Sequence, residues 1–153
     1  MRPRFPPHPA SETPLTESLG TIAEYREAGQ IKEIGISAVD VEQIEVAREV
    51  VPIAAVQNHY NVAERSSEDV VDYCEENGIV FVPYYPLKGS GPPALAAIAQ
   101  RHHASPEQIM LAWLLHRSPV MLPIPGTLSI EHLRENLGAL EIELTDDEFD
   151  ALA

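Results

Sequence analysis

Four short apolar runs constrain this chain more than any other feature: "IKEIGIS" from Ile31, "PIAAVQN" from Pro52, "GIVFVPYYPL" from Gly78 and "VMLPIP" from Val120. None alternates cleanly between apolar and polar positions, and no two are joined by a hairpin turn. Each is separated from the next by amphipathic segments of helical period. Strands of this kind, spaced this way, predict parallel pairing through right-handed crossovers. The expected fold class is therefore α/β, built from parallel (β/α) units. The third run is apolar throughout, as burial on both faces would require.

The helical segments carry local start and stop signals. Residues 1–13, "MRPRFPPHPASET", are rich in proline without periodicity and read as a flexible lead-in to a domain at 14–153. Thr13 reads as an N-cap with Pro14 at the first helical position, and Leu15, Leu19, Ile22 and Ala23 form one face up to a stop at Gly29. A strand follows from Ile31 to Ser37. Asp40 and Gln43 form a capping box for a helix striped by Val41, Ile44, Ala47 and the stem of Arg48. The next strand runs from Ile53 to Gln57. Ser66 reads as the cap of a helix reaching Asn77, with Val70, Val71 and Cys74 turned inward. After the third strand come "PPALAAIAQRHH" and "SPEQIMLAWLLHRS", the latter with Ser105, Pro106 and Gln108 as start signals. Ser129 caps the helix from Ile130, and Thr145 with Glu148 caps a last one, Asp146 to Ala153.

Charge and cysteine usage narrow the function classes. With 24 Asp and Glu against 10 Lys and Arg, the surface repels nucleic acid and anionic membrane. Any phosphate must then be captured locally, by oriented N–H groups or a few basic side chains. The single cysteine, Cys74, excludes an internal disulfide and a Cys-based zinc site, and the six His form no H-x-x-x-H pair. No apolar run nears the ~18 residues of a membrane span, and "MRPRFPPHPA" has no apolar signal core, so a cytoplasmic location is expected. His102 and His103 end a helix and are assigned no chemistry. "LTDDEFD" reads as a solvated first turn.

The polar residues collect after strand C-termini: Ser37, Gln57 with Asn58, Tyr84 to Gly91, and Gly126 to Ser129. That pattern belongs to the mouth of a (β/α)8 barrel, of which four units are about half. "GISAVD" after the first strand fits neither a G-x-G-x-x-G turn nor a P-loop. The turn in "LPIPGTLSIEHLRENL" offers free N–H groups and two hydroxyls at a helix start, a ready anion site.

With "IKEIGIS", "AAVQNHYN", "VFVPYYPLKGSG" and "LPIPGTLSIEHLRENL" in this order, the chain resembles the C-terminal half of an aldo-keto reductase, from about Pro14 to Ala153. The resemblance implies a TIM-barrel fold and NADPH-dependent reduction of aldehydes and ketones. It implies that Ser37 and Gln57 bond the nicotinamide carboxamide, with Ala38 standing where an Asn is usual. Tyr84 is implied to stack beneath the nicotinamide, a contact worth roughly 0.5–1.5 kcal/mol beyond burial. "YPLKGSG", including Pro86 and Leu87, is implied to wrap the pyrophosphate, with Tyr85 in place of a commoner Ser. Thr127 and Ser129 match hydroxyls around the adenosine 2′-phosphate, while Gly126 and His132 stand where many members have Lys and Arg. Glu135 and Asn136 match the pair gripping the adenine amino group. A weaker preference for NADPH over NADH is the expected consequence of the reduced basic clamp.

The Tyr, Lys, Asp and His that the family uses as proton donor and its neighbours lie, by the same resemblance, ahead of the first residue that aligns. No catalytic residue and no metal site is therefore assigned within the chain. Tyr60 is read as structural, and Lys32 and Lys88, the only lysines, are not near it in sequence. Two functions follow: the cofactor-binding half of an NADP(H)-dependent oxidoreductase, or an inactive nucleotide-binding or partner-dependent module. Both expect open strand edges at "IKEIGI" and "VMLPI" and an uncovered apolar face, hence pairing with a second copy or with a separately encoded N-terminal half.

Overall fold

A computed structural model describes residues 14–153, so the lead-in and Thr13 lie outside the described residues. The first helix, α1, spans Leu15–Glu27 with Pro14 as its cap residue, one position later than expected. Then come β1 (Gly35–Ser37), α2 (Val41–Val50), β2 (Ala55–Gln57), α3 (Glu68–Asn77), β3 (Val80–Phe81), α4 (Leu95–Arg101), α5 (Pro106–Arg117), α6 (Ile130–Gly138), a 3-10 turn (Ala139–Glu141) and α7 (Asp146–Leu152).

The strands form one parallel sheet in the order β1-β2-β3, with Ser37 beside Gln57 and Val56 beside Phe81. They are shorter than the apolar runs, although the ladder continues past them: Val82 N–H donates to the Val56 carbonyl and Tyr84 N–H to that of Asn58. The fourth run is not a strand but a single parallel bridge, Phe81 with Met121. Phe81 N–H donates to Val120 (2.9 Å) and Leu122 N–H to Phe81 (2.8 Å). Pro123 and Pro125 have no N–H to continue the ladder. The outer edge of β1 and the Val120–Leu122 segment form the two borders of the sheet among the described residues.

Alternation sorts the strand residues onto two faces. Ile36, Val56, Phe81 and Met121 are buried against the helices, together with Tyr60 and Trp113. On the other face, Gly35, Ser37, Ala55 and Gln57 are half-buried, while Val80, Leu122 and Ile124 are 37%, 56% and 44% exposed. The third strand is thus covered on one face only, which corrects the expectation of burial on both. Helices α1, α2 and α3 pack in sequence order, and α5 meets α4, α6, the 3-10 turn and α7. Ile109 to Leu114 are all buried there, with Trp113 stacked on Tyr60 and Phe149.

The capping boxes at Asp40/Gln43, Ser105/Gln108 and Thr145/Glu148 all form, and Ser129 Oγ accepts from the His132 N–H. Three local expectations are corrected. The residue at the start of α3 is Ser67, not Ser66, and its side chain caps no backbone N–H but receives a bond from Asn58 Nδ2 (3.3 Å). Arg48 is exposed and acts through its guanidinium, donating to Tyr73 Oη (2.6 Å) and Asn77 Oδ1 (2.7 Å) on α3. The acidic first turn of α7 is solvated at Asp146 and Asp147, but Glu148 is half-buried and bonded to Arg101 (2.9 Å) and His102 (3.0 Å).

Candidate functional site

The sheet's uncovered face ends in two groups of side chains at the strand C-termini. In the first, Ser37 and Gln57 lie side by side in register. Ser37 Oγ donates to the Gln57 carbonyl (2.9 Å), which also accepts from the Ala38 N–H (2.9 Å). The Ser37 proton is therefore engaged on the backbone, and its oxygen keeps acceptor capacity for a ligand. Among the described residues the Gln57 side-chain amide has no protein partner. Ala38 holds φ at +57°, a left-handed conformation strained for a residue with a Cβ, and it turns the chain away from the rim. Asn58, buried one step further along, bonds both backbone groups of Val39 (2.7 and 3.1 Å) and locks the ends of the first two strands together.

The same layer carries an aromatic cluster. His59 pairs with Tyr84 across the ladder, and their rings stack in parallel at 5.3 Å. Tyr85 stands edge-on to both, is exposed, holds φ at +55°, and has the Lys88 ammonium 4.6 Å from its ring centre. Asn61, fully buried, donates to the Tyr85 carbonyl (2.8 Å) and fixes that turn. The aromatic step from Tyr84 to Tyr85 is thus held from beneath by side chains of the "QNHYN" segment. Asn58, His59 and Asn61 were not singled out from sequence as positioning residues. The signal was present as polar residues inside a strand's terminal run.

The second group surrounds a cavity of about 260 Å³ lined by Leu87, Gly126, Thr127, His132, Glu135 and Asn136, with Glu107 from α5. Six of these seven are sequence-predicted cofactor residues. Ser129 does not line the cavity but shapes it, receiving the His132 N–H (3.3 Å) while its own N–H bonds Thr127 Oγ1 (3.0 Å). Pro86 is buried in the loop that leads from Tyr84 to Leu87. Ser37, Gln57 and Tyr84 belong to the strand rim, so the predicted residues divide into two clusters joined by that loop. Glu107 was missed because nothing in the first turn of a capped helix distinguishes a site residue from a solvated one.

Tyr60 does not belong to this rim. It is fully buried on the helix side against Trp113 and Phe81, and its hydroxyl donates to Glu68 (2.9 Å). Burial first, then the bond to Glu68, pushes its pKa above the ordinary tyrosine value, the reverse of what a proton donor near neutral pH needs. Glu68 also receives Arg65 (2.9 Å) and Arg117 (2.6 Å), so Tyr60 completes a structural ion network. The Cys74 thiol is buried, and burial raises its pKa to about 12. No helix of the described residues is long and apolar enough to cross a membrane.

Comparison with known proteins identifies the family and the fold. The sequence profile of the Aldo/keto reductase family matches residues 7–153. The chain is 41% identical over 143 residues to an uncharacterized oxidoreductase of Schizosaccharomyces pombe, covering 90% of this chain and 46% of that protein. It is also 41% identical over 143 residues to the pyridoxine 4-dehydrogenase of Escherichia coli, covering 92% and 50%. Among solved structures, a thermostable aldo-keto reductase in complex with the inhibitor epalrestat superimposes with a TM-score of 0.87 at 38% identity, over 97% of this chain and 56% of that one. An aldo-keto reductase from Klebsiella pneumoniae in complex with NADPH gives 0.84 at 26% identity, over 93% and 54%. The chain spans about half the length of the curated relatives it matches.

Proposed function

The chain belongs to the aldo/keto reductase family, and on that premise we propose that it supplies the NADP(H)-binding side of a cytoplasmic carbonyl reductase. The observation that carries this reading is the cavity at the start of α6, where Leu87 and five residues of the Gly126–Asn136 segment converge. With the adenosine end held there, the Pro86–Leu87 loop would hold the diphosphate, and Tyr84, Gln57 and Ser37 would hold the nicotinamide. These residues fit such a group. The Gln57 amide has no protein partner among the described residues, Tyr84 is a half-buried ring at the strand mouth, and the N-terminus of α6 suits an anion. The NADPH-bound Klebsiella pneumoniae relative supports the choice of cofactor. When bound, the nicotinamide supplies the hydride. This chain's residues hold and orient it: Gln57 and the Ser37 oxygen at the carboxamide, Tyr84 against the ring.

The proton donor is proposed to come from sequence outside these 153 residues, on the same or a partner chain. The burial of Tyr60 and its raised pKa support that assignment. A partner-dependent module is the second reading, favoured by one observation. The face carrying Val80, Leu122 and Ile124 is uncovered and bordered by two open strand edges. The partner it suits is one that completes the cylinder, either a second copy or a complementary half.

Titration of NADPH fluorescence against the purified chain tests the first reading. Tyr84→Ala is expected to weaken binding about tenfold, from lost stacking and burial. Unchanged affinity removes Tyr84 from the site. With a panel of aldehydes the chain alone is expected to oxidise no NADPH, and turnover abolished by Tyr60→Phe would overturn the assignment of the proton donor elsewhere.

A further inference from the structure

Resting on the dinucleotide reading above, we propose that Glu107 sets the cofactor preference of the adenosine pocket, disfavouring a 2′-phosphate and favouring a free ribose 2′-hydroxyl. Glu107 is one of the cavity's lining residues, from the first turn of α5, facing the segment that receives the adenosine end. Among the described residues its carboxylate has no hydrogen bond or ion pair. The remaining ionisable groups of the lining are Glu135 and His132, and no Lys or Arg belongs to it.

The backbone at Glu107 is fixed by its surroundings, while its side chain is exposed. The Ser105/Gln108 capping box sets the turn on which it sits, and Gln108 Nε2 donates to the Glu135 carbonyl (3.0 Å), tying α5 to α6. The two helices meet closely at Gly138, where a Cβ would lie 2.5 Å from Gln108 Nε2. The helix therefore cannot carry Glu107 away from the cavity without breaking that contact.

The chemistry then has opposing parts. The N-terminus of α6 attracts an anion through its free N–H groups. A phosphate monoester carries about −1.5 to −2 at neutral pH, so a facing carboxylate repels it. The same carboxylate is a strong acceptor for a ribose hydroxyl, the device by which acidic residues select an unphosphorylated ribose in dinucleotide sites generally. In this pocket Glu107 works against the helix N-terminus and narrows the advantage of the phosphorylated cofactor.

The test uses two probes that differ only at the 2′ position, ADP-ribose and 2′-phospho-ADP-ribose, titrated calorimetrically against the full chain and its Glu107→Gln variant. The variant is expected to bind 2′-phospho-ADP-ribose about tenfold tighter, with ADP-ribose unchanged or weaker. Added salt should diminish the difference between the proteins, because the repulsion is screened. Glu107→Lys should move the ratio further in the same direction and serves if the first variant folds poorly. An unchanged ratio in both variants, with both probes still bound, overturns the role of Glu107 alone. If the folded wild-type chain takes up neither probe, the dinucleotide reading itself fails and this inference falls with it.

Discussion

The two faces of the sheet have opposite characters. On the helix side, Ile36, Val56, Phe81, Tyr60 and Trp113 are all fully buried, and the aromatic rings pack at 5.4–5.8 Å from one another and from Phe149. On the other side, the adjacent side chains of the same strands stay half-buried or open, and Leu122 is 56% exposed. The uncovered side is small or polar at Gly35, Ser37, Ala55 and Gln57, yet Val80, Leu122 and Ile124 on it are as apolar as the covered residues, so composition accounts for only part of the contrast. What differs is the presence of a covering layer. The buried core lies where the helices pack, and the face they do not cover carries the residues of the proposed cofactor and partner contacts.

That contrast can be broken most severely at Trp113. Trp113→Ala removes the largest side chain of the covered face and should cost about 3–5 kcal/mol in urea denaturation. A loss under about 1 kcal/mol would mean that the helix side is not the seat of stability. Leu122→Ser is the sharpening counterpart. On an uncovered face it should change the unfolding free energy by no more than about 0.5 kcal/mol. If the chain associates through that face, the same variant should shift light scattering toward the monomer. A loss as large as at Trp113 would show that the face is covered after all.

The smallest effect is expected at the edge of the helix layer, at Glu148. The hydrogen bond from His102, then the backbone N–H of Thr145, with Arg101 adding to them, holds its pKa at about 2, below the usual 4.5. A carboxylate depressed on folding contributes stability that is complete above its unfolded pKa and is lost as pH falls toward the folded value. The melting temperature of the wild type should therefore fall between about pH 4.5 and 2, and Glu148→Gln should flatten that limb. Parallel acid limbs in the two proteins would remove Glu148 from the linkage.

Legibility in the sequence followed the range of the interactions. The helix starts at Asp40, Ser105, Ser129 and Thr145 were readable because a cap bonds a group two or three residues away. The parallel α/β class was readable from unalternating apolar runs separated by helical periods. Most of the lining of the cavity at the start of α6 was readable too, since Gly126, Thr127, His132, Glu135 and Asn136 lie on one turn and the helix it starts. What failed depended on distant partners. Pairing of the fourth run is limited to a bridge at Met121, Arg48 finds its partners on α3, and Glu148 is drawn to α4.

By itself, then, the sequence determined the order of elements, their local caps and the one contiguous segment that forms most of a pocket. Only the tertiary structure decided that Glu107 joins that pocket, that His59 stacks on Tyr84, and which face of the sheet stays uncovered. The physical reason is that a capping bond or a helical stripe is settled within a turn of chain. The neighbour that a side chain meets across tens of residues is settled by how whole layers pack.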